Sequence, residues 1–217
     1  MPIVRRPDIP IAAATTYAAL GYFAHHDLLG GLNRRVRDVA RARGPRVVRR
    51  AEAFTLLSES PVHPILGYVL SRAASRVIGR TTYAPLAASL ATFILNKGTR
   101  LVVHQQRPPG TKPRRGLDRL GFPSGHTLAA TAIAFTTALE ISEGGDASER
   151  TLALTAAGAY AATMGWTRIA LDQHWIDDIL GGWAGGLIIA YVIHAASRRR
   201  RGENGPRIVR KRFSELL

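Results

Sequence analysis

The chain alternates long apolar runs with short polar segments that are mostly basic. Four runs, 9–24, 81–96, 151–167 and 179–197, contain no Asp, Glu, Lys or Arg. Extended to the nearest breakers, the pattern predicts helices over 9–29, 53–77, 82–103, 124–141, 150–171 and 175–196. The first is expected to break at His25-His26-Asp27 and Gly30-Gly31. The second holds Glu59, Pro61, His63, Pro64 and Arg72, and is expected to kink. Between them, 32–50 reads as an arginine-rich connector, an amphipathic interfacial helix interrupted at Gly44-Pro45. A polar loop spans 104–122, an acidic turn 142–149, and a basic tail 198–217, read as disordered or lying on a membrane.

Crossing a bilayer takes roughly 20 mostly apolar residues, with about 17 as the lower limit, and the runs fall near that length. Their Ala, Gly and Thr content suits helices that associate in lipid, where small residues let backbones approach. Gly181 and Gly185, like Gly182 and Gly186, are four apart and predict tight packing of the last helix on a neighbour. The expected fold class is all-α: a polytopic membrane bundle of about five to six transmembrane helices. A soluble bundle with Ala-rich core helices is the alternative. The expected division is an N-terminal helix and connector at 1–50, a membrane domain at 51–197 and the tail at 198–217.

Composition hides this pattern. Mean hydropathy is −0.01 only because basic blocks offset the apolar runs. Of 30 Lys and Arg, 23 lie in 34–50, 97–119 and 198–212, and the net charge is +15. A basic balance suits nucleic acid, anionic lipid or phosphorylated substrates. Nucleic acid binding would explain the blocks but not the uncharged runs between them, which point to the bilayer as a partner. Oligomeric state is left open. There is no cysteine, so neither disulfides nor thiol chemistry contribute. Arg5 and Arg6 precede an apolar run with no clear cleavage site, so no cleavable signal peptide is expected. Six spans would place both termini opposite the loop 104–122. The eight Lys and Arg at 198–212 favour a cytoplasmic tail, hence an outward-facing site in a bacterial plasma membrane. The eight arginines of 34–50 would then face outward, against the same rule, unless the first helix does not span or the connector sits at the interface.

Three polar clusters at predicted helix ends carry the chemistry. Pro123-Ser124-Gly125-His126 opens an apolar helix. Ser124 suits an N-cap, and the free N–H groups behind it favour an anion, approached closely at Gly125. Arg168 to Asp178 sits between two apolar runs. His174 and Asp178 are four apart and share a helix face. An aspartate on one imidazole nitrogen fixes the tautomer and frees the other as base or nucleophile. Arg168 offers a permanent charge and a fork of donors for phosphate. The third cluster, Arg100 to Pro108, sets Arg100 and Arg107 at a helix end. Singly, each is a cap, a solvated ion pair or a basic helix end. Jointly they suit phosphate ester chemistry: arginines neutralise the phosphoryl oxygens, one histidine attacks in line and the other protonates the leaving oxygen. Zinc between His126 and His174 would need a third ligand, and none stands at suitable spacing. No metal or cofactor is expected. His25, His26, His63, His104 and His194 are read as structural or interfacial.

The order of these motifs resembles the type 2 phosphatidic acid phosphatase superfamily, which also holds bacterial acid phosphatases and vanadium haloperoxidases. The resemblance covers about 97–186 and implies a helical bundle with the active site at one membrane face. It implies His174 as the nucleophile that forms a phosphohistidine, Asp178 as its orienter and His126 as general acid. It also implies Arg107, Arg168, Ser124 and Gly125 as phosphate ligands. The chain departs from the pattern twice. Arg100 stands where Lys is usual, with Lys97 one turn earlier as an accessory cation, and Thr167 replaces the Ser before Arg168. The implied activity is metal-independent hydrolysis of a lipid phosphate or diphosphate: phosphatidic acid, phosphatidylglycerol phosphate or a polyprenyl (di)phosphate. A non-enzymatic anionic-lipid binder and a vanadate-dependent haloperoxidase are the alternatives.

Overall fold

The computed structural model describes residues 8–42, 44–55, 62–111 and 114–201. They form helices α1 (Asp8–His25), α2 (Gly30–Arg41), α3 (Pro45–Thr55), α4 (Val62–Ile78), α5 (Ala84–Arg100), α6 (Gly125–Ile141), α7 (Ala147–Ala170) and α8 (Ile176–Arg201). A 3₁₀ turn, Gly116–Arg119, lies in the loop before α6. No β-strand occurs among the described residues.

α6 is the central helix. Every residue from His126 to Ile133 is buried, so the helix is enclosed on all sides rather than on one stripe. α4, α5, α7 and α8 surround it, α1 lies against α8, and α3 lies against α7. The interior is built from small residues such as Ala88, Ala129, Ala130, Ala132 and Ala190. Large apolar side chains point outward instead: Ile94 is 78% exposed and Leu152 70%, with Ile11, Ile65 and Val192 behaving alike. A water-soluble bundle buries such residues, whereas helices associating in lipid place small residues between them and large apolar ones outside. Among the described residues, α8 is long and apolar enough by itself to cross a membrane, with mean hydropathy 1.7 over an 18-residue stretch within Ile176–Arg200.

The C-terminal ends of α1, α5 and α7 meet the N-terminal ends of α4, α6 and α8 at one end of the bundle. At the other end Glu140 of α6, fully buried, accepts from Thr82 Oγ1 at 2.9 Å and pairs with His194 Nδ1 at 2.8 Å. His194 is therefore a packing partner at the far end of the bundle.

Several boundaries differ from expectation. The first helix stops at His25, and Asp27 takes a positive φ of 52° that no helix continues. The connector is two helices, parted near Gly44-Pro45 as expected; α2 turns Leu32 and Val39 outward, in keeping with an interfacial element. The predicted helix 53–77 is not one helix. Its first residues end α3 at Thr55, α4 begins at Val62, and the expected kink around Glu59 and Pro61 lies outside the described residues. The first residues of the basic tail, 198–201, are helical, because α8 continues to Arg201; residues 202–217 lie outside the described residues.

The α8 glycines set the spacing of this core. A Cβ on Gly182 would stand 2.8 Å from Thr127 Cβ, and one on Gly186 2.5 Å from Thr131 Cβ, both on α6. Gly181 and Gly185 meet Phe122 and Tyr17 on the other side. Overpacking at such a contact costs roughly 1–3 kcal/mol. Gly186→Val is expected to lower the unfolding midpoint in detergent by several degrees. Gly98→Ala, at an exposed α5 position with nothing nearby, is expected to leave it unchanged or raise it.

Candidate active site

The Arg168–Asp178 cluster is folded around the start of α8. Asp178 occupies the third helical position, and its Oδ2 accepts the N–H of Trp175, the residue just before the helix, at 3.0 Å. This is half of a capping box. The same oxygen accepts from His174 Nδ1 at 2.9 Å. Both residues are buried, Asp178 completely. On the far side of the ring, Arg107 Nη1 lies 2.9 Å from His174 Nε2. A guanidinium has donors only, so Nε2 must be the acceptor. The ring proton then sits on Nδ1, donated to Asp178, and the Nε2 lone pair faces the arginines.

The loop that follows Arg100–Pro108 and the Pro123–His126 cluster are tied to the same point. Gly121 N–H donates to the Gln105 carbonyl at 2.8 Å, and Ser124 N–H donates to the Asp178 carbonyl at 3.0 Å. Gly121 passes directly over the Asp178 carboxylate, where a Cβ would stand 2.6 Å from Oδ2. The Phe122–Pro123 peptide between them is cis. Ser124 is the residue before α6, as expected, but its hydroxyl makes no capping bond and accepts from Thr127 Oγ1 at 3.1 Å. With its own N–H committed to Asp178, the first-turn donors open to an anion are those of Gly125, His126 and Thr127.

Electrostatics show the convergence of the clusters. The His174 imidazole is pushed well below the usual histidine range, first by burial and then by the charges of Arg107, Arg168, His126 and Arg100. Arg107, between Gln173 O and the carbonyl of Asp118, is lowered to about 9 by burial and by Arg114 and Arg100, and so stays charged at neutral pH. Arg168 donates from Nη1 to Thr55 Oγ1 at 2.9 Å, and Thr55 in turn meets Thr167 Oγ1 at 3.2 Å. The hydroxyl kept at Thr167 thus helps hold the arginine. Arg100, buried at 3% exposure, reaches the Pro123 carbonyl and pairs with Asp118 Oδ1 at 2.7 Å. Lys97 reaches the same oxygen at 2.6 Å. Burial raises the Asp118 carboxyl, but Lys97, Arg100 and Arg114 outweigh it and hold the group below the usual carboxylate range.

Several supporting residues had no sequence signal. Asp177 is fully buried and accepts from Asn33 Nδ2 and Gln105 Nε2, both at 2.9 Å. Asp172 accepts a two-pronged bond from Arg37, at 2.7 and 2.9 Å. Asn33, Arg37 and Thr55 bring α2 and α3 under the site. His63 of α4 is buried with its ring 6.2 Å from that of His126, at 85°. These partners are remote in sequence and obey no local spacing, although Asp177, an acid inside an apolar helix start, was a hint.

Residues 82–201, more than half of the chain, match the model of the PAP2 superfamily, and the chain belongs to that family. The crystal structure of a transmembrane PAP2-type phosphatidylglycerolphosphate phosphatase from Bacillus subtilis superposes with a TM-score of 0.76 at 18% identity, covering 90% of this chain and 99% of that one. That of Aquifex aeolicus LpxE superposes with a TM-score of 0.53 at 22% identity, covering 75% of this chain and 94% of the other. Both share the fold. No curated protein sequence matches the chain.

A lowered pKa means that the folded protein resists protonation of His174 as pH falls. Nitrogen-15 NMR of labelled imidazoles in detergent is expected to find one ring that stays neutral, protonated on Nδ1, well below its ordinary value of about 6.5. His174→Gln removes that signal. Since only the unfolded chain takes up this proton near pH 6.5, His174 also makes folding stability fall as pH drops below that value.

Proposed function

We propose that this member of the PAP2 superfamily is an integral membrane phosphatase that hydrolyses a lipid phosphate or diphosphate without a metal ion, through a phosphohistidine. The observation that carries the reading is the buried Asp178–His174–Arg107 chain, which leaves an imidazole lone pair directed at a guanidinium. A phosphoryl oxygen entering there takes over the Arg107 donor and releases Nε2. Nε2 then attacks phosphorus in line. The N–P bond forms, the bond from phosphorus to the lipid oxygen breaks, and His126 donates its proton to that oxygen. Asp178 stabilises the positive charge that develops on the ring. Water next attacks the phosphohistidine, giving up a proton to His126, and inorganic phosphate leaves. Arg100, Arg107 and Arg168 neutralise the phosphoryl oxygens, with Lys97 as an accessory cation. The Ser124 hydroxyl and the N–H of Gly125 add fixed donors.

The substrate class is supported by where the site lies. It is at an end of a bundle whose flanks are apolar, so a lipid alcohol leaves into the bilayer while the phosphate meets the arginines. Phosphatidic acid, phosphatidylglycerol phosphate and polyprenyl phosphates or diphosphates all qualify. The basic end of α8 lies at the opposite end of the bundle. That arrangement supports a cytoplasmic tail and an outward-facing site. α2 and α3, lying across the site end, account for the arginines on that side as interfacial helices.

The test is phosphate release from a panel of these lipids in detergent with EDTA. Full activity is expected under those conditions. His174→Ala is expected to lose on the order of 10³-fold or more, and His126→Ala roughly 10²–10⁴-fold. Strict Mg²⁺ dependence, or full activity of His174→Ala, contradicts the mechanism.

A further inference from the structure

Beside the catalytic arginines, on the loop between α5 and α6, is a second basic recess of about 250 Å³. It is lined by Arg107, Arg114 and Arg119, with Gln106, Gly110 and Thr111 completing the wall. No carboxylate lies among its described lining residues. Asp118, the nearest acid in sequence, is turned to Lys97 and Arg100. Neither Arg114 nor Arg119 forms an ion pair among the described residues, whereas Arg37 and Arg41 of α2 each find a carboxylate. Arg107 and Arg114 repel each other, which is one reason Arg107 is easier to deprotonate than an exposed guanidinium. An anion between them relieves that repulsion. The space is several times the roughly 30 Å³ that a water molecule takes up in the liquid, enough for a phosphoryl group with its hydrogen-bond partners. Guanidinium forks and the Thr111 hydroxyl are the donors such a group accepts from.

We propose that Arg114 and Arg119 form, with Arg107 as the shared wall, a second phosphoryl-binding subsite adjoining the catalytic one. Its ligand is either a second phosphoryl group of the substrate itself or the inorganic phosphate that the reaction releases. The inference rests on the phosphatase reading, since Arg107 is the link between the two subsites.

The test compares wild type with an Arg114→Ala/Arg119→Ala variant on phosphatidic acid, which has a single phosphate, and on a polyprenyl diphosphate, with inorganic phosphate as an added inhibitor. If the subsite takes the substrate's second phosphate, KM for the diphosphate rises at least tenfold while kcat and KM on phosphatidic acid stay within twofold. If it takes released phosphate, both KM values hold and inhibition by inorganic phosphate weakens at least tenfold. Equal losses on both lipids, or no change in any of the three quantities, overturn the proposal. Absence of phosphate release from any lipid by wild type would instead overturn the phosphatase reading.

Discussion

The structure depends on keeping a carboxylate and an imidazole together out of water. Removing an ionised carboxylate from water is expensive unless every lone pair is answered. Asp178 meets part of that demand at one oxygen, Oδ2, which accepts from both the His174 ring and the Trp175 N–H. The surrounding chain is shaped to this pair. Gly121 lacks the Cβ that would strike the carboxylate, and Ser124 anchors its backbone to the Asp178 carbonyl. Asp177 is held by Asn33 and Gln105. One helix turn therefore fixes the position of two loops and of α2.

The bundle around it serves that position. α6 and α8 approach closely because glycines face Thr127 and Thr131, so the first turns of both helices arrive side by side. Histidine, aspartate and helix-end N–H groups are thereby concentrated in one small volume. Burial, and then three guanidiniums in the same volume, keep the imidazole neutral, and the guanidiniums keep the field positive. In the proposed mechanism this single arrangement serves as both nucleophile and cradle for a dianion, by electrostatic preorganisation.

Much of this was legible from residue order. The three motifs could be read because each is local: a cap signature, a four-residue spacing, an arginine at a helix end. The apolar runs located α1 and α5–α8 to within a few residues. What escaped were partners joined only by the fold. Asn33 meets Asp177, Arg37 meets Asp172 and Thr55 meets Arg168 across more than 100 residues, and no periodicity announces them. The segment 53–77 was misjudged because α3 is amphipathic and basic, so its end merged into the apolar start of α4. His63 and His194 looked partnerless for the same reason: their neighbours, His126 and Glu140, lie on another helix.

The central claim is that His174 Nε2 forms a bond to phosphorus. Rapid acid-free quenching of the enzyme with radiolabelled lipid phosphate, followed by peptide mapping, tests it most directly. The account predicts label that survives alkali, is lost in acid, maps to the peptide holding His174 and is absent from His174→Ala. Turnover with no labelled protein, or label on a serine such as Ser124, would contradict it.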